Sequence, residues 1–376
     1  MIKNGLIFYI TIAVCVLTII VFGIVYYVKF ESSQTQEEPQ EEVIANIKGD
    51  EIESTIDKNK NNEIRNIPSE VPTLTENSIP KETQTIAETT ESYVYKFYYS
   101  QLDDSAKKIY DAIEKNIENI KSGTYTITVP EGVGEIIEQP NGEEILNMEF
   151  QSAWDAIVMD RVELFYIDVS KVSLEILTTT YRDRKTYKLS MKPNTNNYLD
   201  DSFNTKQAVD DSLAQLERIR KNAVERISGS DYEKIEKIND ILVDSLDYDT
   251  ENGNNAYNIY GALIQKRCVC EGYAESFKYI MDAYKIPCIL VIGTAQNSSG
   301  AVENHEWNYV LLDNKWYAVD VTWNDPVVVG GIDTKSYRHK YLLTGNSINS
   351  NHSPYGKISN NGMVFRYPVL SENNYK

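Results

Sequence analysis

The stretch 266–277, KRCVCEGYAESF, sets Cys268 and Cys270 one valine apart at the entrance to a helical pattern. Beyond Cys270, the residues Tyr273, Phe277, Ile280, Met281 and Tyr284 fall on one face, so a helix begins at or just after that cysteine. A thiol at a helix N terminus faces unpaired N–H groups and the positive end of the dipole, and both favour thiolate over thiol. Cys268, in the approach loop, gets less of this help. Further along, HEWNYVLLDNKWYAVDVTW reads as a β-hairpin, with alternating apolar residues on both arms and Asp313-Asn314 at the turn. His305 opens the first arm and Asp320 lies in the second. An even loop sets Asp320 opposite Trp307 and makes His305 and Asp320 diagonal neighbours on one face, about 7–8 Å apart between backbones. An odd loop would put them on opposite faces. Thiol, imidazole and carboxylate are the parts of a nucleophile, its base and the group that orients the base.

Other uses of these residues weigh less. A zinc site from Cys268, Cys270, Cys288 and His305 is disfavoured, because C-x-C is shorter than the usual ligand spacing and Cys288 sits in the apolar strand IPCILVIGTA. A redox pair suffers from the strain of a C-x-C disulfide. On the CVC stretch alone, two small buried hydrophobes remain an equal reading. His339 lies in the basic turn YRHKY and reads as surface, while His352, in NSNHSP, reads as surface or as a neighbour of the site. The segment DYDTENGNN superficially resembles a calcium loop, but its glycine is one place late and the twelfth position is Asn258. No metal or cofactor is expected.

The elements that must position these residues read as α+β. Leu102, Ala106, Ile109, Ile113, Ile117 and Ile120 recur at helical spacing, and Gly123 stops them. A strand TYTITV, a helix around FQSAWDAIVMD and strands through ELFYIDV, VSLEILTTTY and KTYKLSM complete a small α/β segment over 93–200 that carries no catalytic constellation. Helices over 205–228 and 231–246 then lead into a core domain, 201–376.

Ahead of these lie segments of a different kind. After a five-residue tail, Leu6–Val28 is an uncharged apolar run of 23 residues, long enough to span a bilayer at 1.5 Å per residue. No A-x-A-like cleavage site follows, so it reads as an uncleaved signal anchor with the bulk of the chain outside. Residues 29–92, rich in Glu, Gln, Thr, Asn and Pro, read as a disordered stalk. From Glu31 to Glu91 there are 15 acidic and 5 basic residues, which is 10 of the chain's net 19 negative charges. That balance argues against nucleic acid as a partner.

GALIQKRCVCEGYAESFKYIM and HEWNYVLLDNKWYAVDVTWND, with the spacing between them, resemble the transglutaminase-like superfamily, whose core is similar to papain-type cysteine proteases. The resemblance covers roughly Asp231–Pro326. It implies a helix bearing the cysteine packed on an antiparallel sheet bearing His and Asp, with Cys270 as nucleophile, His305 as base and Asp320 as its partner. The expected chemistry is attack on an amide carbonyl of a protein or peptide, through a thioester that passes to water or to an amine. A catalytically silent binding module is the alternative. The oxyanion hole would use the Cys270 N–H plus an aromatic donor, for which Tyr257 and Tyr260 are candidates. Trp307 and Trp323 either wall the site or pack the sheet.

Overall fold

The computed structural model describes residues 40–50, 94–325 and 337–376. The 6–28 run and most of the 29–92 segment lie outside them. Among the described residues no helix is long and apolar enough to cross a membrane.

The strands are β1 (Gln40–Lys48), β2 (Ile127–Val129), β3 (Val172–Tyr181), β4 (Arg184–Pro193), β5 (Asp247–Tyr248), β6 (Arg267–Cys268), β7 (Cys288–Gln296), β8 (Val302–Leu312), β9 (Lys315–Val319) and β10 (His352–Pro354). The longer helices are α1 (Asp104–Lys115), α2 (Gly142–Asp160), α3 (Lys206–Arg226), α4 (Asp231–Ser245) and α5 (Cys270–Ala283), with a single turn α6 (Val321–Asn324). One sheet has the order β1-β3-β4-β2 and another β10-β7-β8-β9, while β5 and β6 form a parallel pair. This is a mixed helix and antiparallel-sheet fold. The described residues fall into two compact units, 40–42 with 178–186, and 43–50, 94–177, 187–325 and 337–376, the second of which holds the candidate site.

Local chemistry explains the helix starts. Asp103 caps α1 by accepting from the N–H groups of Ser105 and Ala106, and Ser230 with Glu233 forms a reciprocal capping box on α4. The 93–200 and 201–376 segments share their packing. Tyr98 Oη donates to Leu290 O at 2.5 Å, and Ser359 Oγ donates to Asp155 Oδ2 at 2.6 Å, both pairs buried.

Two expectations need correction. Residues 40–48, within the segment read as stalk, form β1, which lies beside β3. Polar composition hid the alternation of Val43, Ala45 and Ile47, of which Ile47 is buried and Ala45 packs against the core. Ladder pairing, which composition does not encode, supplies the rest of the order. ELFYIDV is not a strand but two tight turns, Val162–Leu164 and Val169–Lys171. Asp168 closes the second by accepting from Ser170 N–H, and the backbone between bonds to 198–200 instead of a sheet neighbour.

Candidate active site

Cys270 is the first residue of α5, preceded by the extended Val269; no side chain caps this N terminus. Three backbone contacts hold the approach. Tyr248 pairs with Cys268 in the β5–β6 ladder, Asp249 N–H donates to Cys268 O at 2.9 Å, and Val269 N–H donates to Ala256 O at 2.8 Å. α5 packs on β8, where Asn308 Nδ2 donates to Ala274 O at 3.0 Å.

The hairpin loop contains two residues, the even case. Leu312 pairs with Lys315, and Asp313 and Asn314 turn the chain with φ of 50° and 61°. Two successive left-handed residues match the right-handed twist of the arms, which is why Asp and Asn serve there. The ladder ends at Asn308–Val319, and the next residue of each arm is Trp307 and Asp320. Asp320 then becomes the cap of α6, where its Oδ1 accepts from Trp323 N–H at 3.0 Å. Its Oδ2 lies 2.9 Å from His305 Nε2 and 3.0 Å from His352 Nε2. His305 Nε2 is turned to Asp320, and Cys270 lies close enough to the ring to favour its charged form.

Burial makes this network electrostatically strong. Asp320 is fully buried and His305 is 5 % exposed. Burial opposes the charged ring of His305, but the Asp320 carboxylate and Cys270 outweigh it and lift the imidazole to about 10. Burial likewise opposes the charge on Asp320, and its bonds to His305 and then His352 hold it well below the usual carboxylate range. Burial pushes the thiols of Cys268 and Cys288 far up, with the neighbouring Cys270 adding to the effect at Cys268. The two cysteines of CVC therefore differ: Cys268 is a packed thiol, and Cys270 faces an imidazole.

Aromatic rings enclose the histidines. Trp307 lies nearly parallel to His305, with centroids 5.9 Å apart, and is buried. The half-buried Trp323 sits 5.4 Å from His305 and 4.6 Å from His352. Of the two tyrosines named above, Tyr257 has its phenol raised by burial, then by Glu271 and by Cys270, in whose field it lies. Tyr260 instead packs against Phe165 and Phe203 in an aromatic cluster. Tyr248 likewise lies in the field of Cys270: burial and then Cys270 raise its phenol.

Sequence reasoning left His352 open and passed over Tyr248, Glu271 and Glu306. Glu306 and Glu271 are buried acids, and Glu306 is pushed well up by burial and then by Glu271, Glu275 and Cys270. Glu306 and Asn308 are both buried on β8, against which α5 packs. Among the described residues, the group whose ligand atoms converge, all within 4.8 Å of one another, is His305, Asp320 and His352 rather than the cysteines.

Residues 221–321 match the family model described as "Transglutaminase-like superfamily". The chain is similar to "Kyphoscoliosis peptidase" of Mus musculus, with 28 % identity over 125 residues, 30 % of this chain and 18 % of that protein. It is similar also to the Homo sapiens protein of that name, with 28 % identity over 129 residues, 31 % of this chain and 19 % of the relative. The chain thus spans less than a fifth of the length of these two relatives. A solved structure described as a TGase aligns over 55 % of this chain and 59 % of its own, with 15 % identity and a TM-score of 0.28. Over residues 221–321 the chain thus matches the transglutaminase-like superfamily, the family that its motifs resemble.

Proposed function

We propose that the chain is a cysteine enzyme attacking amide carbonyls through Cys270. His305 takes the thiol proton, leaving a thiolate beside an imidazolium that Asp320 stabilises. Sulfur bonds to the carbonyl carbon while the carbonyl electron pair moves onto oxygen, facing the Cys270 N–H and the hydroxyls of Tyr248 or Tyr257. Collapse of this intermediate expels the amine, which takes its proton from His305, and leaves a thioester. Water then makes the reaction hydrolysis; a second amine makes it acyl transfer. Hydrolysis is the preferred reading, in keeping with the word peptidase in the relatives' name.

The observation that carries the proposal is the His305 Nε2–Asp320 Oδ2 bond of 2.9 Å, with Cys270 close enough to favour the charged form of the same ring. The test offers the full chain a pool of peptides and cell-envelope fragments and searches by mass spectrometry for an acyl group on Cys270. An adduct on Cys270 supports the proposal, and a Cys270→Ala variant that kept full amide cleavage would remove it.

Cys270 is only 2 % exposed, and this favours a second reading, a binding module with an occluded site. Alkylation near neutral pH separates the two. An enzyme should react first at Cys270, because Cys268 and Cys288 are held as thiols, whereas a silent module should react at none of the three. Membrane anchoring through 6–28 is part of the proposal, and recovery of the full-length chain in a carbonate-washed membrane fraction tests it.

A further inference from the structure

Asp320 Oδ2 is shared by two imidazoles that come from different strands, His305 on β8 and His352 on β10. A base needs one orienting carboxylate, and one is enough. The second histidine is surplus to that arrangement, and it sets two Nε2 atoms against one carboxylate oxygen, all three atoms within 4.8 Å of one another. Two histidines and one carboxylate are a ligand set that zinc takes in catalytic sites, at about 2.0–2.2 Å per bond. Tetrahedral bonds of that length separate the ligand atoms by about 3.3 Å. The two N–O distances here, 2.9 and 3.0 Å, need open by only a few tenths of an ångström.

We infer that His305, Asp320 and His352 form an inhibitory binding site for Zn²⁺ or a similar divalent transition metal. Three further features suit it. Asp320 Oδ1 is occupied by Trp323 N–H, which leaves Oδ2 to bind as a single ligand. His352 Nδ1 is hydrogen-bonded to Asn351 Oδ1 at 2.9 Å, the kind of outer partner that fixes a ligand ring. The rings of Trp307, Trp323 and Tyr341 surround His352 and lower the local dielectric. On binding, each Nε2 releases its proton to solvent and gives its lone pair to the metal. A ring with its Nε2 on a metal cannot be the doubly protonated imidazolium, so metal occupancy and the use of His305 as base exclude one another.

The ligand set also makes a distinctive prediction. Metal inhibition of a thiol enzyme ordinarily goes through the thiolate, whereas here Cys270 is not a ligand. The experiment strips the full chain with a chelator and titrates it with zinc chloride near pH 7.5, reading bound metal and stoichiometry by calorimetry. One Zn²⁺ per chain should bind, and Cys270→Ser should keep its affinity within about threefold. His352→Asn, whose fold is checked by circular dichroism, should weaken binding at least about tenfold, the loss that even an outer partner can cause. His339→Asn tests the exposed alternative, since His339 Nε2 lies 2.7 Å from Asp240, and should change nothing. Loss of binding in Cys270→Ser or His339→Asn, or wild-type binding in His352→Asn, overturns the inference. Cobalt in place of zinc adds a spectroscopic readout: a thiolate-to-metal charge-transfer band would also overturn it. None of these readouts depends on the chain being an enzyme.

Discussion

His305 and Asp320 meet at 2.9 Å because the hairpin that carries them turns in two residues. One residue more in the loop would rotate every side chain of the returning arm to the opposite face. The pair is therefore a product of turn chemistry as much as of its own residue types.

Removing the carboxylate separates its two roles. Asp320→Ala leaves two buried histidines without their shared acceptor, and breaking a buried pair of this kind costs about 3–5 kcal/mol. Asp320→Asn keeps the shape and one acceptor oxygen but no negative charge beside His305. Its stability loss should be smaller, while the rate of thioester formation falls by about 10³–10⁴. Urea unfolding and single-turnover acylation, run on both variants, read the two effects. Equal rates in wild type and Asp320→Asn would show that the charge is not used.

The turn itself is open to test. Asn314 holds φ at 61°, where a β-branched residue is strained. Asn314→Val should lower stability by about 1–2 kcal/mol, and Asn314→Gly should leave it within about 0.5 kcal/mol. Both measurements come from denaturant midpoints. An Asn314→Val variant as stable as wild type would mean that the left-handed turn is not what closes the hairpin.

These relationships differ in how far the chain announced them. The start of α5 and the hairpin register follow from local rules, periodicity after Cys270 and a two-residue turn between alternating arms. His352 did not announce its position, because β10 is three residues long and its place beside β7 is set by pairing of His352 with Ala295 across a gap of more than fifty residues. Tyr248 is similar: its neighbourhood depends on a two-residue parallel ladder to Cys268, too short for any period to show. Nothing local indicates Phe165 and Phe203 as the partners of Tyr260. Glu306 was passed over because both faces of β8 are covered, and alternation marks only one of them. Long-range pairing and double coverage are the physical reasons that this part of the site had to be seen.

Gly272 shows what Cys268 does. A Cβ added at Gly272 would lie 2.5 Å from Cys268 Cβ, 3.1 Å from its Sγ and 3.2 Å from Ala256 O. Gly→Ala inside a helix normally gains about 1 kcal/mol. Overpacking costs about 1–3 kcal/mol, so Gly272→Ala should come out neutral to destabilising and should shift the turn that presents Cys270. Adding Cys268→Gly removes the closest contact and should recover part of the loss. Thermal melts and the alkylation rate of Cys270 follow both variants. A Gly272→Ala protein stabilised by the full helix gain would contradict the packing role assigned to Cys268.

Acidity makes the last case, at the junction between α2 and the C-terminal segment. Asp155 is fully buried between Gln151 Nε2 at 2.9 Å and Ser359 Oγ at 2.6 Å. Burial raises its carboxyl from 3.8 to about 7, and these two bonds offset only part of that. The folded state thus holds a proton that the unfolded chain has released between pH 4 and 7. In that window the native state binds more protons, so stability falls as pH rises, and the penalty is complete above 7. A shift of that size corresponds to about 4 kcal/mol at most. Asp155→Asn removes the titrating group, although its amide supplies only one acceptor oxygen for the two donors. Its stability near pH 4 should therefore fall slightly below wild type, and the difference should shrink or reverse toward pH 8. Asp160 and Asp282 are also raised, to about 6 and about 7, so wild type keeps other pH dependence and only the difference between the two curves is diagnostic. Urea midpoints at half-unit steps of pH measure it. A difference that stayed constant from pH 4 to 8 would show that Asp155 is ionised in the fold throughout.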